Sequence, residues 1–388
     1  MGHPCAATPP NPGPPVCLPG VVLHAARCAN KPAYAASPVS GLVGRNFGGS
    51  LRKADSGPVP ARRRALVCLS TLSLALGGLP GSSRAQQAGA FSDETWTDAA
   101  RSRAVPVRIR VPDGAGPWPL VLFSHGLGGS RNGADVWGRA WQAAGLLVVH
   151  VQHAGSDTEV ALRGMAALRS AATAAQLLAR VADVGFVIDE IWRRHAAGLP
   201  MWSAVLVDRI GMAGHSFGAQ TAQALAGQRY PTPGSLREPR LAAFLALSSS
   251  PARSSSLSLQ EQFGAINRPF MAATGSLDVD PLGGALTGAV RASVYEGLPP
   301  GERALLWLEA ADHMTFAGNA SPRINGRGAF ERAAQAWALE ARHHEGVAEI
   351  TSLWWQSTLA SSAEDRSHAA AGLRRVKLAG AGDRLTLG

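Results

Sequence analysis

DRIGMAGHSFGAQTAQALAG, residues 208–227, is the stretch that decides the fold of this chain. DRIGMA reads as an apolar strand and GAQTAQALAG as an alanine-rich helix, with Gly-His-Ser-Phe-Gly at 214–218 between them. A bare G-x-S-x-G arises by chance about 0.4 times in a chain of this length and glycine content, so the pattern alone carries little. Its setting is specific: strand, sharp turn and helix in succession are the placement of a nucleophile elbow. Gly214 and Gly218 leave room where strand and helix cross, and Ser216 is held at a strained position with its hydroxyl presented to solvent. The helix beginning at Phe217 favours negative charge developing beside it.

Outward from this segment, short apolar runs alternate with helical patterns. VPVRIRV (105–111) alternates as a strand with one solvated face, while PLVLFSH (119–125) and GLLVVHVQH (145–153) are continuous apolar runs expected of buried strands. Residues 241–248, 268–275 and 303–310 add three more strands. Helices are expected over 136–144, about 160–195, from 217, and over 330–342 and 347–359; in the long one Leu177, Val181, Val184 and Ile188 recur at three- and four-residue spacing. Such alternation predicts an α/β protein, a mostly parallel sheet with helices on both faces, as one domain over 86–388 with its core at about 104–360.

A serine hydroxyl becomes a nucleophile only when a base takes its proton. In this architecture the acid and the base follow in the order Ser, Asp/Glu, His at carboxyl ends of later strands. RPFMAATG runs into Ser276-Leu277-Asp278, and RALLWLEA runs into Ala311-Asp312-His313. His313 is the expected base, ahead of His343 and His344 on a polar helical stretch. Asp278 is the expected acid, with Asp280 its close rival and Asp312 a loop cap. The amides of Phe217 and of Leu127, within His125-Gly126-Leu127-Gly128-Gly129, are the expected oxyanion donors. His153 and Asp157 are read as a loop-fixing pair, and Trp354 and Trp355 as packing residues.

FSHGLGGSR (123–131), VVHVQHAGSD (148–157), RIGMAGHSFGAQTA (209–222), TGSLDVDP (274–281) and ADHMTF (311–316) together resemble the dienelactone-hydrolase-like family of α/β-hydrolases. Within it they look most like the bacterial branch akin to platelet-activating-factor acetylhydrolases. The resemblance spans about residues 104–360 and implies carboxylic-ester hydrolysis through an acyl-enzyme, with no metal or organic cofactor. It carries the nucleophile onto Ser216, the base onto His313 and the oxyanion donors onto Leu127 and Phe217. Two departures stand out. Dienelactone hydrolases use cysteine where this chain has Ser216, and the acetylhydrolases carry their acid one strand earlier, where this chain reads Leu247-Ser248-Ser249-Ser250-Pro251. Alternative readings are a lipase or polyester hydrolase and, from another class, a non-catalytic binding module on a hydrolase scaffold.

Composition agrees with an enzyme core. Of 388 residues 46% are hydrophobic and 16% charged, which suits a chain with a substantial interior. The net charge of +10 is local: residues 1–85 hold nine of the 37 Lys/Arg and one of the 27 Asp/Glu, so the rest carries +2. That excludes a polyanion-binding surface in the body and with it a nucleic-acid partner. All four cysteines, Cys5, Cys17, Cys28 and Cys68, also precede residue 86. The remainder can hold no disulfide, thiolate metal site or cysteine nucleophile. Arg62-Arg63-Arg64, the apolar run 65–79 and the small-residue pattern Ser83-Arg84-Ala85 describe a signal peptide over 59–85, of Sec or twin-arginine type. The apolar run is short of the roughly 20 residues of a membrane span. The mature protein is therefore expected to be secreted or periplasmic, without a membrane span. Residues 1–58, rich in Pro and Gly and without apolar period, are expected to be disordered or an upstream extension beyond the true start of translation.

Overall fold

The computed structural model describes residues 90–232, 235–252, 255–319 and 332–388. The expected extension (1–58) and signal peptide (59–85) lie outside these residues. Among the described residues nine strands form one sheet: β1 Ser92–Asp98, β2 Arg103–Arg110, β3 Trp118–Ser124, β4 Leu147–Val151, β5 Val205–His215, β6 Leu241–Leu247, β7 Phe270–Leu277, β8 Arg303–Asp312 and β9 Arg384–Leu387. Their spatial order is β1-β2-β4-β3-β5-β6-β7-β8-β9. The six from β4 to β8 run parallel, whereas β1 and β2 at one edge and β9 at the other pair antiparallel. The described residues also form ten α-helices that connect or flank the strands: α1 Asp135–Ala143, α2 Thr158–Leu162, α3 Met165–Ala171, α4 Ala174–Ala196, α5 Phe217–Ala226, α6 Leu259–Phe263, α7 Gly288–Ala292, α8 Val294–Gly297, α9 Ala334–Leu359 and α10 Ala363–Arg375.

Period-two alternation sends successive side chains of each central strand to opposite faces. Leu120 and Leu122 of β3 pack with Val184, Val187 and Ile188 of α4 and Ala222 and Leu225 of α5. Val121 and Phe123 pack on the other face with Trp137 and Trp141 of α1 and Ile350, Trp354 and Trp355 of α9. Because both faces are covered, the central strands read as continuous apolar runs. Trp141 and Trp355 meet edge to face, their ring centroids 5.9 Å apart. Truncating an aromatic side chain buried this fully costs about 3–5 kcal/mol. Trp354 and Trp355 are thus packing residues, Trp354 also donating its indole N–H to the Phe244 carbonyl.

Several boundaries differ from the sequence expectation. The sheet begins at Ser92 and ends at Leu387, outside the expected core of 104–360. SDETWTD carries only Trp96 and Asp98 as buried side chains, so an edge strand was hidden in a polar sequence. The helix expected over 160–195 is three helices, broken at Gly164, whose φ is +90°, and at Ala172-Thr173, where Thr173 caps α4. The two expected C-terminal helices are one, α9, continuous through Gly346. Among the described residues no single helix is long and apolar enough to cross a membrane.

Candidate active site

Strand β5 delivers Ser216 at its carboxyl end, and α5 begins at the next residue. Ser216 has φ +56° and ψ −114°, a conformation that a non-glycine residue adopts only when its surroundings enforce it. The enforcement comes from close packing. A Cβ on Gly214 would stand 2.1 Å from the Gly218 carbonyl oxygen, and one on Gly218 would stand 1.9 Å from that of Ser124. Only glycine permits this crossing of β3, β5 and α5.

The expected site residues converge. His313 Nε2 lies 2.9 Å from Ser216 Oγ, and His313 Nδ1 lies 2.7 Å from Asp278 Oδ1. The second Asp278 oxygen accepts the Thr274 hydroxyl at 2.9 Å. Asp278 is fully buried, which would drive its carboxyl up; His313 and then Arg291 outweigh this and hold it below the usual carboxylate range. Asp280 instead accepts the Leu282 amide. Asp312 accepts the amide and hydroxyl of Thr315 and two guanidinium N–H groups of Arg332, fastening the turn after His313.

What brings Asp278 to His313 is an irregularity in the sheet. Gly275 pairs with Leu308, but Leu277 pairs with Asp312. The extra residues in β8 include Ala310 at φ +61°, whose amide is taken by Ser276 Oγ at 2.8 Å. Bulges re-aim side chains in this way.

Two expectations change. The helical stretch of His343 and His344, expected to be polar, is partly interior: His343 is buried, and His344 Nε2 meets the Thr315 carbonyl at 3.1 Å. His153 and Asp157 are loop-fixing but do not pair with each other. Asp157 accepts from Gln152. His153 donates from Nδ1 to Asp183 at 3.0 Å and accepts from Ser124 Oγ at 2.9 Å, in a site closed to solvent.

That buried Ser124–His153–Asp183 chain supports the loop carrying Leu127. His125 donates from Nδ1 to the Gly126 carbonyl and accepts the His153 amide at Nε2. Arg180, wholly buried on α4, donates to the His125 carbonyl at 2.7 Å and to Ser156 Oγ at 2.9 Å. The Ser156 carbonyl in turn accepts Gly128 N–H. Burial raises Asp183 on its own, yet His153 and Arg103 bring it to about 2. Arg180 and Asp183 escaped the sequence reading, although a signal was present: both fall on the apolar stripe of α4, between Leu177 and Val184. Charges placed there must be paired.

Leu127 and Phe217 border the same cavity as Ser216 and His313, a space of about 460 Å³ walled also by Leu168, Leu177 and Leu286. Among the described residues neither the Leu127 nor the Phe217 amide is given to a protein acceptor.

Six parallel strands ordered β4-β3-β5-β6-β7-β8, a strained serine between β5 and α5, and Asp278 and His313 after β7 and β8 are now in place. The fold is that of the α/β-hydrolases. No family model matches the chain, and no curated protein matches it by sequence. Solved structures that superpose on it include a ferulic acid esterase from Streptomyces cinnamoneus, 16% identical over 71% of this chain and 94% of that one, with a TM-score of 0.48. A dienelactone hydrolase from Anabaena variabilis is 18% identical over 69% and 99%, with a TM-score of 0.44. A 2,6-dihydroxy-pseudo-oxynicotine hydrolase is 16% identical over 70% and 68%, with a TM-score of 0.44.

His125, His150, His153 and His215 are fully buried and held neutral. Burial, foremost, pushes His150 and His215 to about 3, His153 to about 4 and His125 well below the usual 6.5. The unfolded chain protonates them near 6.5, so between there and the folded values it binds more protons. Stability is then full above pH 6.5 and falls as pH drops, by about 1.4 kcal/mol per unit for each histidine. Urea unfolding is expected to show a midpoint at pH 5 far below that at pH 7.5. Equal midpoints would show that these rings are not buried neutral.

Proposed function

We propose that this protein is a secreted or periplasmic serine esterase that cleaves carboxylic esters through an acyl-enzyme on Ser216. The observation that carries this reading is the single imidazole of His313, with Nε2 2.9 Å from Ser216 Oγ and Nδ1 2.7 Å from the buried Asp278 carboxylate. His313 takes the hydroxyl proton as Ser216 Oγ attacks the ester carbonyl, and Asp278 stabilises the imidazolium that forms. The Leu127 and Phe217 amides receive the developing oxyanion. Collapse of the tetrahedral intermediate breaks the ester C–O bond, and His313 returns the proton to the departing alcohol. Water then repeats the sequence, releasing the carboxylic acid and free Ser216. Apart from the substrate and that water, every step uses groups of the chain itself.

The cavity of about 460 Å³ suits a small ester, since ligand pockets run at about 300–1,000 Å³. A panel of p-nitrophenyl esters of increasing acyl length is expected to show turnover for short and medium chains and a decline beyond the cavity's reach. Absence of turnover across the panel would reject the reading. A lipase or polyester hydrolase is the second reading, favoured by Leu162, 83% exposed, and Met165, 39% exposed. They sit on α2 and α3 just before Leu168, which lines the cavity. Faster turnover of emulsified or film-bound esters than of soluble ones would select it.

A further inference from the structure

Arg291 is a buried cation placed at the junction of three strand ends, and no step above uses it. Its side chain is 3% exposed. It comes from α7, which Thr287 caps and which packs so closely on β7 that a Cβ on Gly288 would lie 2.0 Å from the Gly275 carbonyl oxygen. Arg291 Nε lies 3.0 Å from Asp278 Oδ1 and donates to the Asp278 backbone carbonyl, also at 3.0 Å. One terminal nitrogen donates to the Ser248 carbonyl at 3.0 Å, and the other lies 3.4 Å from His313 Nδ1. The guanidinium therefore ties the ends of β6 and β7 together and stands against the ring of the base. Ser249 Oγ closes the arrangement by donating to the Arg291 carbonyl at 3.1 Å.

We propose that Arg291 is a positioning residue: it locks the Asp278 carboxylate toward His313 and sets its own charge against an imidazolium formed there. This inference rests on the esterase reading.

The positional part follows from geometry. A planar guanidinium makes several directed bonds at once, and these reach the acid's side chain, its backbone and the neighbouring strand end. An acid free to rotate would lose its aim at Nδ1. The electrostatic part follows from distance. His313 Nδ1 already gives its proton to Asp278, so Arg291 at 3.4 Å presents a like charge to any imidazolium formed there and opposes it. The other ionisable groups around His313 are accounted for. His215 of β5, its ring centroid 4.8 Å away, donates from Nε2 to the His313 carbonyl and is held neutral by burial. Asp278 of β7 favours the imidazolium. Asp280 lines the same cavity. Asp312 is bound to Arg332, and His344 of α9 bonds the Thr315 carbonyl beyond the ring. Arg291 is the cation that directly faces the acid–base pair.

The test uses R291Q and R291K beside wild type and S216A, with near-UV circular dichroism for folding and p-nitrophenyl butyrate kinetics from pH 5 to 9. In R291Q kcat is expected to fall about tenfold or more with KM little changed. The acid limb of its kcat/KM profile is expected to move up by about one unit. R291K keeps the charge without the fork, so its limb stays at the wild-type position while kcat still falls. A folded R291Q with wild-type kcat and an unmoved limb overturns the proposal, as does an equal loss of kcat in both variants with neither limb moved. Should R291Q not fold, R291K decides by its kcat; loss of fold in both assigns Arg291 to folding alone and overturns the proposal. Absence of turnover by wild type would instead strike the esterase reading itself.

Discussion

Replacement of Ser216 by alanine is expected to lower kcat/KM on nitrophenyl esters by about 10⁴-fold or more, with the unfolding midpoint nearly unchanged. The size of the effect follows from the attacking atom's removal. His313 and the Leu127 and Phe217 amides stay, but no covalent intermediate can form, and only oxyanion and binding contributions remain. Folding should survive because the elbow is held by the packing of Gly214 and Gly218 rather than by the hydroxyl. Alanine must occupy the same positive-φ conformation, as serine does now. A fluorophosphonate probe should label wild type and not the variant. Retained turnover or retained labelling in Ser216→Ala would place the nucleophile elsewhere and dissolve the mechanism.

The second large effect is expected at Asp278. Asp278→Asn keeps the shape of the side chain but offers an amide where His313 Nδ1–H now meets a carboxylate oxygen at 2.7 Å. Imidazole is then driven toward the tautomer with its proton on Nε2, where it cannot take one from Ser216, and loses the charge that stabilises imidazolium. A fall in kcat of about 10⁴-fold follows for such a change. The companion variant Asp280→Asn is expected to cost about a hundredfold less, because Asp280 accepts from the Leu282 amide and His313 reaches Asp278. Since Asp278 is held below the usual carboxylate range, it remains ionised across the neutral range and its loss should depress activity at every pH there. The reverse ranking of the two variants would transfer the role to Asp280.

How much of this was legible in advance differs from residue to residue. Ser216 and His313 stand where an apolar run stops at a turn, and a buried parallel strand imposes that pattern on its sequence. Asp278 and Asp280 could not be separated on that basis, because both follow the same strand within three residues. The bulge at Ala310 brings His313 to Asp278, and its positive φ has no mark in the sequence of β8. Arg180 and Asp183 interrupt an apolar stripe and were legible in principle. Arg291 was not: it lies in a five-residue helix too short to show a period. The edge strands β1 and β9 were invisible for a related reason: β1 buries only Trp96 and Asp98, β9 buries none of its residues, and so little burial leaves little apolar signal.

By itself, then, the chain's order of apolar runs, glycines and polar turn residues determined the parallel sheet, the elbow and the set of side chains at its carboxyl edge. Local spacing suffices there because strand burial and tight turns are short-range constraints. Only the tertiary structure decided which aspartate faces His313, which buried charges brace the loop carrying Leu127 and what holds Asp278 in place. Those choices depend on distances of about 3 Å between groups far apart in sequence, such as Asp278 with His313 and Arg180 with His125. No periodicity encodes such distances; they are set when the sheet twists, bulges and closes its helices over both faces.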